Sequence, residues 1–454
     1  MYNFDRRTFL KLLGQGTAVL SMGLSGKAWA ASEKAGSGMK NTKGKYQIFQ
    51  PGEYFDWEKE MAEERLAIAK KGPQKDDGKA DVVNEIDLLQ YNRAWDPYNP
   101  LFNDRSYAQK AGYPGVPAFP CFINPRGIQV PRPPWDAGDT AYFQNDGGDT
   151  RVWTHIFAGD SFTTESEKLT FEDITIPGSD LRHFRRGSSA KMFNHRGAHV
   201  GWGDGPLREA YRKIIDGSPA PSFSENNTEW VEDFPPAHYT TDEEYEYIQE
   251  LWDKEYIRGS QNLYWEDVKV GDEPTWTCSG PVSHMDIVGW YGGGGSGSTL
   301  RNRRNQWKFL FRDRYGIYLP STAKHYGGQN IPGFRMVLFN NTAAMHLARM
   351  VTNYIGDAGL VTRIAWYFKA LFKEMQIEEF QGGEYLDKVP YMKGKTCTVH
   401  PSEGDTIISK GYVTDKYIND RGEHTIDIAC WAETLDNRIV QIVAASAKLP
   451  SKKG

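Results

Sequence analysis

The sequence predicts an α+β protein built from one unit used twice, each copy a helix wrapped by a long antiparallel sheet. Two observations lead there. First, four short segments recur in the same order. "EIDLLQYNRA" from Glu85 is answered by "HMDIVGWYGG" from His284, so that Asp87 matches Asp286, and "YPGV" from Tyr113 by "IPGF" from Ile331. "GDSFTTESEKL" from Gly159 is answered by "GDTIISKGYV" from Gly404, and "RGAHVGW" from Arg196 by "RGEHTIDIACW" from Arg421. Second, a Pro-rich stretch, "SPAPSFSENNTEWVEDFPPAH", separates the two sets.

The elements follow in chain order. Residues 1–30 are a leader: Arg6-Arg7 with Phe9-Leu10-Lys11 precede a weakly apolar run ending at Ala28-Trp29-Ala30. This is the pattern of a twin-arginine export signal and places the mature chain in the periplasm or outside the cell. Residues 31–78 are a polar tether and a charged amphipathic helix closed by Gly72-Pro73. The first copy then spans 79–216, a linker with a helix from about Thr241 spans 217–260, and the second copy spans 261–454. The second copy is the longer, with an insertion near 292–320 that contains "GGGGSGSTLRNRRNQWK".

Within each copy the expected order is a loop, an apolar helix and alternating strands. "NNTAAMHLARMVTNYIGDAG" starts on Asn and Thr, keeps helical apolar spacing and stops at Gly, so it reads as the second copy's helix. "RIAWYFKALF", "GDTIISKGYVTDKYI", "HTIDIACWAE" and "IVQIVAASAKL" follow as long, β-branched, turn-separated strands. One helix wrapped by such a sheet, present twice, is a double hot-dog.

Composition excludes several function classes. A net charge of −5 over 454 residues gives no nucleic-acid surface, and "RNRRNQWK" reads as a solvated loop. No stretch reaches the roughly 18 apolar residues of a spanning helix. Cys121, Cys278, Cys397 and Cys430 are widely spaced without a Cys-x-x-Cys pair, which argues against a zinc or iron-sulfur centre and for buried free thiols. There is no dinucleotide-binding glycine fingerprint and no haem motif, so no metal or cofactor is expected.

Several of these segments resemble the MaoC-like dehydratases, the R-specific enoyl-CoA hydratase family of double hot-dog proteins. "DPYNPLFNDRSYAQKAGYPG" is similar to that family's Asp-x-Asn-Pro-x-His loop, "WEDVKVGDEPTWTCSGPVSHMDIVGW" to its entry segment, and the stretch from "KHYGGQNIPGF" to "AKLP" to the end of its second hot-dog. The resemblance covers most of residues 80–450. It implies addition or removal of water at a carbonyl-conjugated double bond, with an Asp/His pair sharing the water and a helix N-terminus meeting the oxyanion.

Carried over position by position, the pair is incomplete in both copies. In the first, Asp96 and Asn99-Pro100 match with one extra residue between them, but Phe102 stands at the histidine position. In the second, His325 precedes the Pro-Gly step while Pro320 stands at the aspartate position, leaving Asp313 as the nearest upstream carboxylate. His325, Asp313 and Asp96 are therefore the catalytic candidates, and Asn340, Asn341, Thr342, Asn99 and Tyr326 the substrate-binding candidates. His346 reads as a core residue, and His199 and His424, each just after an Arg-Gly turn, read as equivalent structural positions.

Export and thioester chemistry pull apart, because acyl-CoA and acyl-carrier thioesters are cytoplasmic. The expected substrate is a free carbonyl-containing small molecule, with a homodimer or a cofactor-bearing partner subunit as the expected company. Two other readings stay open: a non-catalytic hot-dog that binds a ligand or a partner, favoured by the two broken pairs, and a thioesterase.

Overall fold

A single antiparallel path of ten strands runs through both halves of the chain in a computed structural model. The model describes residues 44–70, 81–123, 140–145, 147–218, 240–283, 286, 310–312, 318–320, 342–367 and 404–453. The first half supplies β1 (Asp81–Val82), β2 (Thr140–Asn145), β3 (Gly147–Val152), β4 (Ser161–Asp173), β5 (Arg182–Asn194), β6 (His199–Asp204) and β7 (Leu207–Arg212). The second supplies β8 (Thr277–Ser279), the small hairpin β9 (Leu310–Arg312) and β10 (Tyr318–Pro320), then β11 (Leu360–Tyr367), β12 (Ile407–Ile418), β13 (His424–Glu433) and β14 (Ile439–Lys448). The helices are α1 (Asp56–Lys70), α2 (Glu85–Trp95), α3 (Pro100–Asn103), α4 (Arg105–Lys110), α5 (Asp242–Lys254) and α6 (Thr342–Ile355).

The path reads β1-β4-β5-β6-β3-β11-β14-β13-β12-β8. Renumbered within each half, both run 1-3-4-5-2 from the outer edge inward, and the two strands in second place, β3 and β11, meet at the centre. The protein is an α+β double hot-dog. The repeated segments open equivalent strands with matching hydrogen bonds. Val83 N–H donates to Asp160 O at 2.8 Å and Gly159 N–H to Val83 O at 2.9 Å; in the second half Val282 N–H donates to Asp405 O and Gly404 N–H to Val282 O, both at 2.8 Å. The Arg-Gly turns are a correction to the sequence reading. The first joins β5 to β6 and the second joins β12 to β13, one strand out of step, so His199 and His424 are not equivalent.

The second half is built around α6, whose residues from Ala344 to Val351 are all buried. A helix buried on every side needs cover on every side. β11, β12, β13 and β14 supply one wall, and α2 with the loop after it supplies the other. Close approach is possible because the strand beneath is thin: a Cβ on Gly411 would lie 3.0 Å from Met350 Cε and 2.7 Å from Ala429 O. In the first half the described helix, α2, precedes the loop; residues 124–139, where the sequence order would place a helix, lie outside the described residues. Linker helix α5 starts on a capping box in which Thr241 Oγ1 accepts from Glu244 N–H and the Glu244 carboxylate accepts from Thr241 N–H.

The amphipathic helix expected after the tether is α1, and it is fastened to the first half's sheet by charges taken out of water. Arg182 on β5 meets Glu58 at 2.5 Å with both side chains fully buried, and Tyr211 Oη donates to Glu58 Oε2 at 2.5 Å. Arg65 pairs with Glu209 at 2.8 Å, and Glu209 also pairs with Arg186. Cys121, Cys278 and Cys430 are buried free thiols, while Cys397 lies outside the described residues. No described helix is long and apolar enough to cross a membrane.

Glu58→Ala would take from the buried Arg182 guanidinium its nearest carboxylate, leaving Asp173 at 3.2 Å, and a loss of about 3 kcal/mol of stability is expected. The double change Glu58→Leu with Arg182→Met removes both charges and is expected to recover most of that loss, as read from the midpoints of denaturant unfolding.

Candidate active site

The segment from Asp96 to Ile123 is held by polar side chains of its own and of α2. Asn84 Oδ1 accepts from Ile86 N–H at 2.8 Å to cap α2, and Asp96 N–H closes that helix on Asn92 O at 2.8 Å. Asn99 Oδ1 accepts from Leu101 N–H at 3.1 Å, with Pro100 starting α3, and Asp104 Oδ1 accepts from Ser106 N–H and Tyr107 N–H to start α4. Asn92, fully buried, ties the segment together: its Nδ2 donates to Phe102 O and Pro117 O, and its Oδ1 accepts from Phe119 N–H. Phe102, standing where the resemblance places a histidine, is buried with its ring 5.4 Å from that of Phe119.

α2 and the segment after it lie along α6 of the other half. Tyr91 Oη is 3.3 Å from Met345 Sδ, and the Trp95 and His346 rings are 5.8 Å apart, edge to face. Asp96 follows and is 0% exposed. Burial pushes its carboxyl up to about 6, with the neighbouring Glu255 charge adding to the effect, while Arg349 and the N–H groups of Asn99 and Tyr98 hold it back. Arg349 itself donates to Glu255 Oε1 at 2.8 Å and to Cys278 O at 3.1 Å. His346 Nδ1 is 3.0 Å from Ser279 Oγ, and burial, then Arg349, push its imidazole down to about 3. Sealed in the core, this imidazole is held neutral by its burial.

A cleft of about 40 Å³ opens where the same segment passes the C-terminal end of α6, lined among others by Asn99, Phe102, Phe119, His155, Thr352 and Ile355. That is room for one or two waters and too little for a substrate. Asp96 does not line it. His155 does, and burial with the positive Lys448 pushes its imidazole down to about 4. Tyr113 Oη donates to Asp357 O and lies 3.4 Å from His155 Nε2. Tyr107 Oη donates to Asp357 Oδ2 at 2.7 Å. The cleft therefore sits at the negative end of the α6 dipole, where a developing oxyanion is not stabilised.

The structure brings Asp96 and Asn99 to the flank of α6, with Asp96 buried and Asn99 at the cleft wall. His325, Tyr326, Asp313, Asn340 and Asn341 lie outside the described residues; Thr342 opens α6, but its side chain lies outside them as well. Sequence reasoning missed His155, Tyr113 and Asp357. No local signal marks them, because the contacts join positions 42 and 244 residues apart. Among the described residues no group of three His, Cys, Asp or Glu side chains could hold a metal.

The Asp96 shift has a stability consequence with a definite sign. Its folded value lies above the ordinary 3.8, so the fold holds the proton more tightly and loses stability as pH rises from about 4 through about 6. Asp96→Asn keeps the neutral form at every pH. Thermal unfolding should show the variant more stable at pH 7.5, by roughly 2–3 kcal/mol at most, and without this part of the pH 4–6 dependence.

No family model matches the sequence, and no curated protein matches it. Solved structures do. A MaoC-like dehydratase aligns over 84% of this chain and 98% of its own, with a TM-score of 0.46 and 15% identity. A putative MaoC domain protein dehydratase from Chloroflexus aurantiacus J-10-fl aligns over 84% and 95%, with a TM-score of 0.43 and 12% identity. RV0216 from Mycobacterium tuberculosis, described as having a double hotdog fold, aligns over 83% and 96%, with a TM-score of 0.41 and 10% identity.

Proposed function

We propose that the protein is a hydro-lyase that adds water to, or removes it from, a double bond conjugated to a carbonyl. The observation that carries this reading is the packing of α2 and the Asp96–Asn99–Pro100 segment after it, in one half, along α6 of the other. The segment that resembles a hydratase loop thus lies against a helix whose N-terminus carries the positive end of the helix dipole. At that N-terminal end, the first-turn amides after Thr342 are suited to the oxyanion of an enolate.

In this reading His325, shortly before α6 in sequence, takes a proton from water as the oxygen bonds to the β-carbon. The π electrons move to the carbonyl oxygen, and the α-carbon then receives a proton, so water is added across the double bond with nothing left over. Asp313 is the carboxylate proposed to orient His325, with Asn340, Asn341 and Tyr326 beside the substrate. Asp96 and Asn99 shape the wall. The twin-arginine pattern of residues 1–30 points to a free enone, hydroxy acid or hydroxy ketone in place of a thioester.

A second reading, a non-catalytic hot-dog that serves as a partner subunit, is favoured by a cleft too small for a substrate and by Phe102 in the histidine position. Assay of the purified chain with a panel of free enones and enoic acids separates the two. The proposal expects hydration that falls by about 10²–10⁴-fold in His325→Ala, with the fold retained by circular dichroism. Full activity in His325→Ala, or none in the parent across the panel, would remove the hydro-lyase reading.

A further inference from the structure

One buried guanidinium stands between two carboxylates where the first half, the linker and α6 meet, an arrangement independent of the hydro-lyase reading. Trp95 at the end of α2 faces His346 of α6, ring to ring at 5.8 Å. Asp96 is the next residue after Trp95, and Arg349 lies three residues beyond His346, on the same face of α6. The α2–α6 contact therefore carries Asp96 and Arg349 to one place, both of them buried.

On its other side Arg349 is engaged by the linker. Its Nη2 donates to Glu255 Oε1 at 2.8 Å and to Cys278 O at 3.1 Å. Glu255 closes α5, and the same Oε1 accepts from Cys278 N–H at 2.7 Å. This tie fastens the end of α5 to β8 and to α6 at once. The apolar contact of α5 is narrow by comparison, with Ile248 and Leu251 as its buried residues, set against Cys278 and Ile408.

Among the described residues, the ionisable groups around Asp96 come from three elements. α6 supplies Arg349 and His346, the end of α5 supplies Glu255, and β8 supplies Cys278. Arg349 stays charged, His346 is held neutral, and burial with the Glu255 charge pushes the Cys278 thiol up to about 12. Asp96, with its carboxyl at about 6, holds its proton below that pH and loses it above. Once ionised it is a buried carboxylate, which is retained only with a partner, and Arg349 is the cation beside it.

We propose that Arg349 is a movable cation, which holds Glu255 and the end of α5 while Asp96 is neutral and turns to Asp96 when that carboxyl loses its proton to solvent. α5 is thus fastened in acid and loosened at neutral pH. The test is hydrogen exchange of the full chain, read by mass spectrometry on peptides of α5 and corrected for the chemical effect of pH. From pH 5 to pH 7.5 the α5 amides should exchange about tenfold faster, the effect of losing one hydrogen bond between charged groups. Amides of β13 should stay protected over the same minutes, the mark of a local opening. Asp96→Asn, uncharged at every pH, should keep the slow exchange of α5 throughout. Glu255→Gln, with no carboxylate to hold Arg349, should show the fast exchange at both pH values. Exchange of α5 that is alike at both pH values in the parent, an unchanged pH response in Asp96→Asn, or slow exchange at pH 5 in Glu255→Gln would each overturn the proposal. The parent and Asp96→Asn carry the test on their own if Glu255→Gln does not fold, which loss of protection in β13 reveals.

Discussion

The seam between β3 and β11 is the constraint on which the rest depends. Five residue pairs, from Arg363–Arg151 to Tyr367–Gly147, join two half-sheets into one. The ladder is reinforced by a carboxylate shared between halves, since Asp149 accepts from Arg151 at 2.8 Å and from Arg363 at 2.9 Å. Both arginines keep part of their surface in water, so the pairing supplies register more than energy. Without the seam, α6 would be covered on its sheet side alone and would leave an apolar face open.

With the seam in place, the two halves divide the labour unequally. The second is an apolar structure: α6 beneath β14, whose first nine residues are buried along its whole length as befits a strand covered on both faces. The first half takes its cover from α1, an element placed before the repeat, and fixes it with arginines and carboxylates. Buried pairs of this kind add little net stability over apolar residues of the same size, yet the geometry of each pair rejects a shifted docking of α1.

Much of the fold was legible because its signals are local. The Gly159-Asp160 and Gly404-Asp405 turns recur because each must return two hydrogen bonds to a Val at the start of its half, and α6 declares itself by apolar spacing with a Gly stop. The Arg-Gly turns misled for the same reason: any tight hairpin uses such residues, and these two sit one strand apart in the duplicated order. Asp96 was legible as a motif residue and illegible as a buried one, because its burial is imposed by α6, some 250 positions away in the chain, and by Arg349 on it. His155 carried no local signal; it stands on the loop after β3 and meets Tyr113, 42 positions earlier, only in the folded chain.

The account holds that Asp96, Asn99 and Phe102 form a wall and that proton transfer belongs to the N-terminal end of α6. Solvent deuterium is the most direct probe of that claim. A β-hydroxy ketone incubated with the protein in heavy water should gain deuterium at its α-carbon, as dehydration and rehydration pass through the enolate. Asp96→Asn should retain this exchange while His325→Ala loses it. Exchange that survives in His325→Ala and disappears in Asp96→Asn would contradict the account, moving the chemistry to the buried carboxyl in the first half.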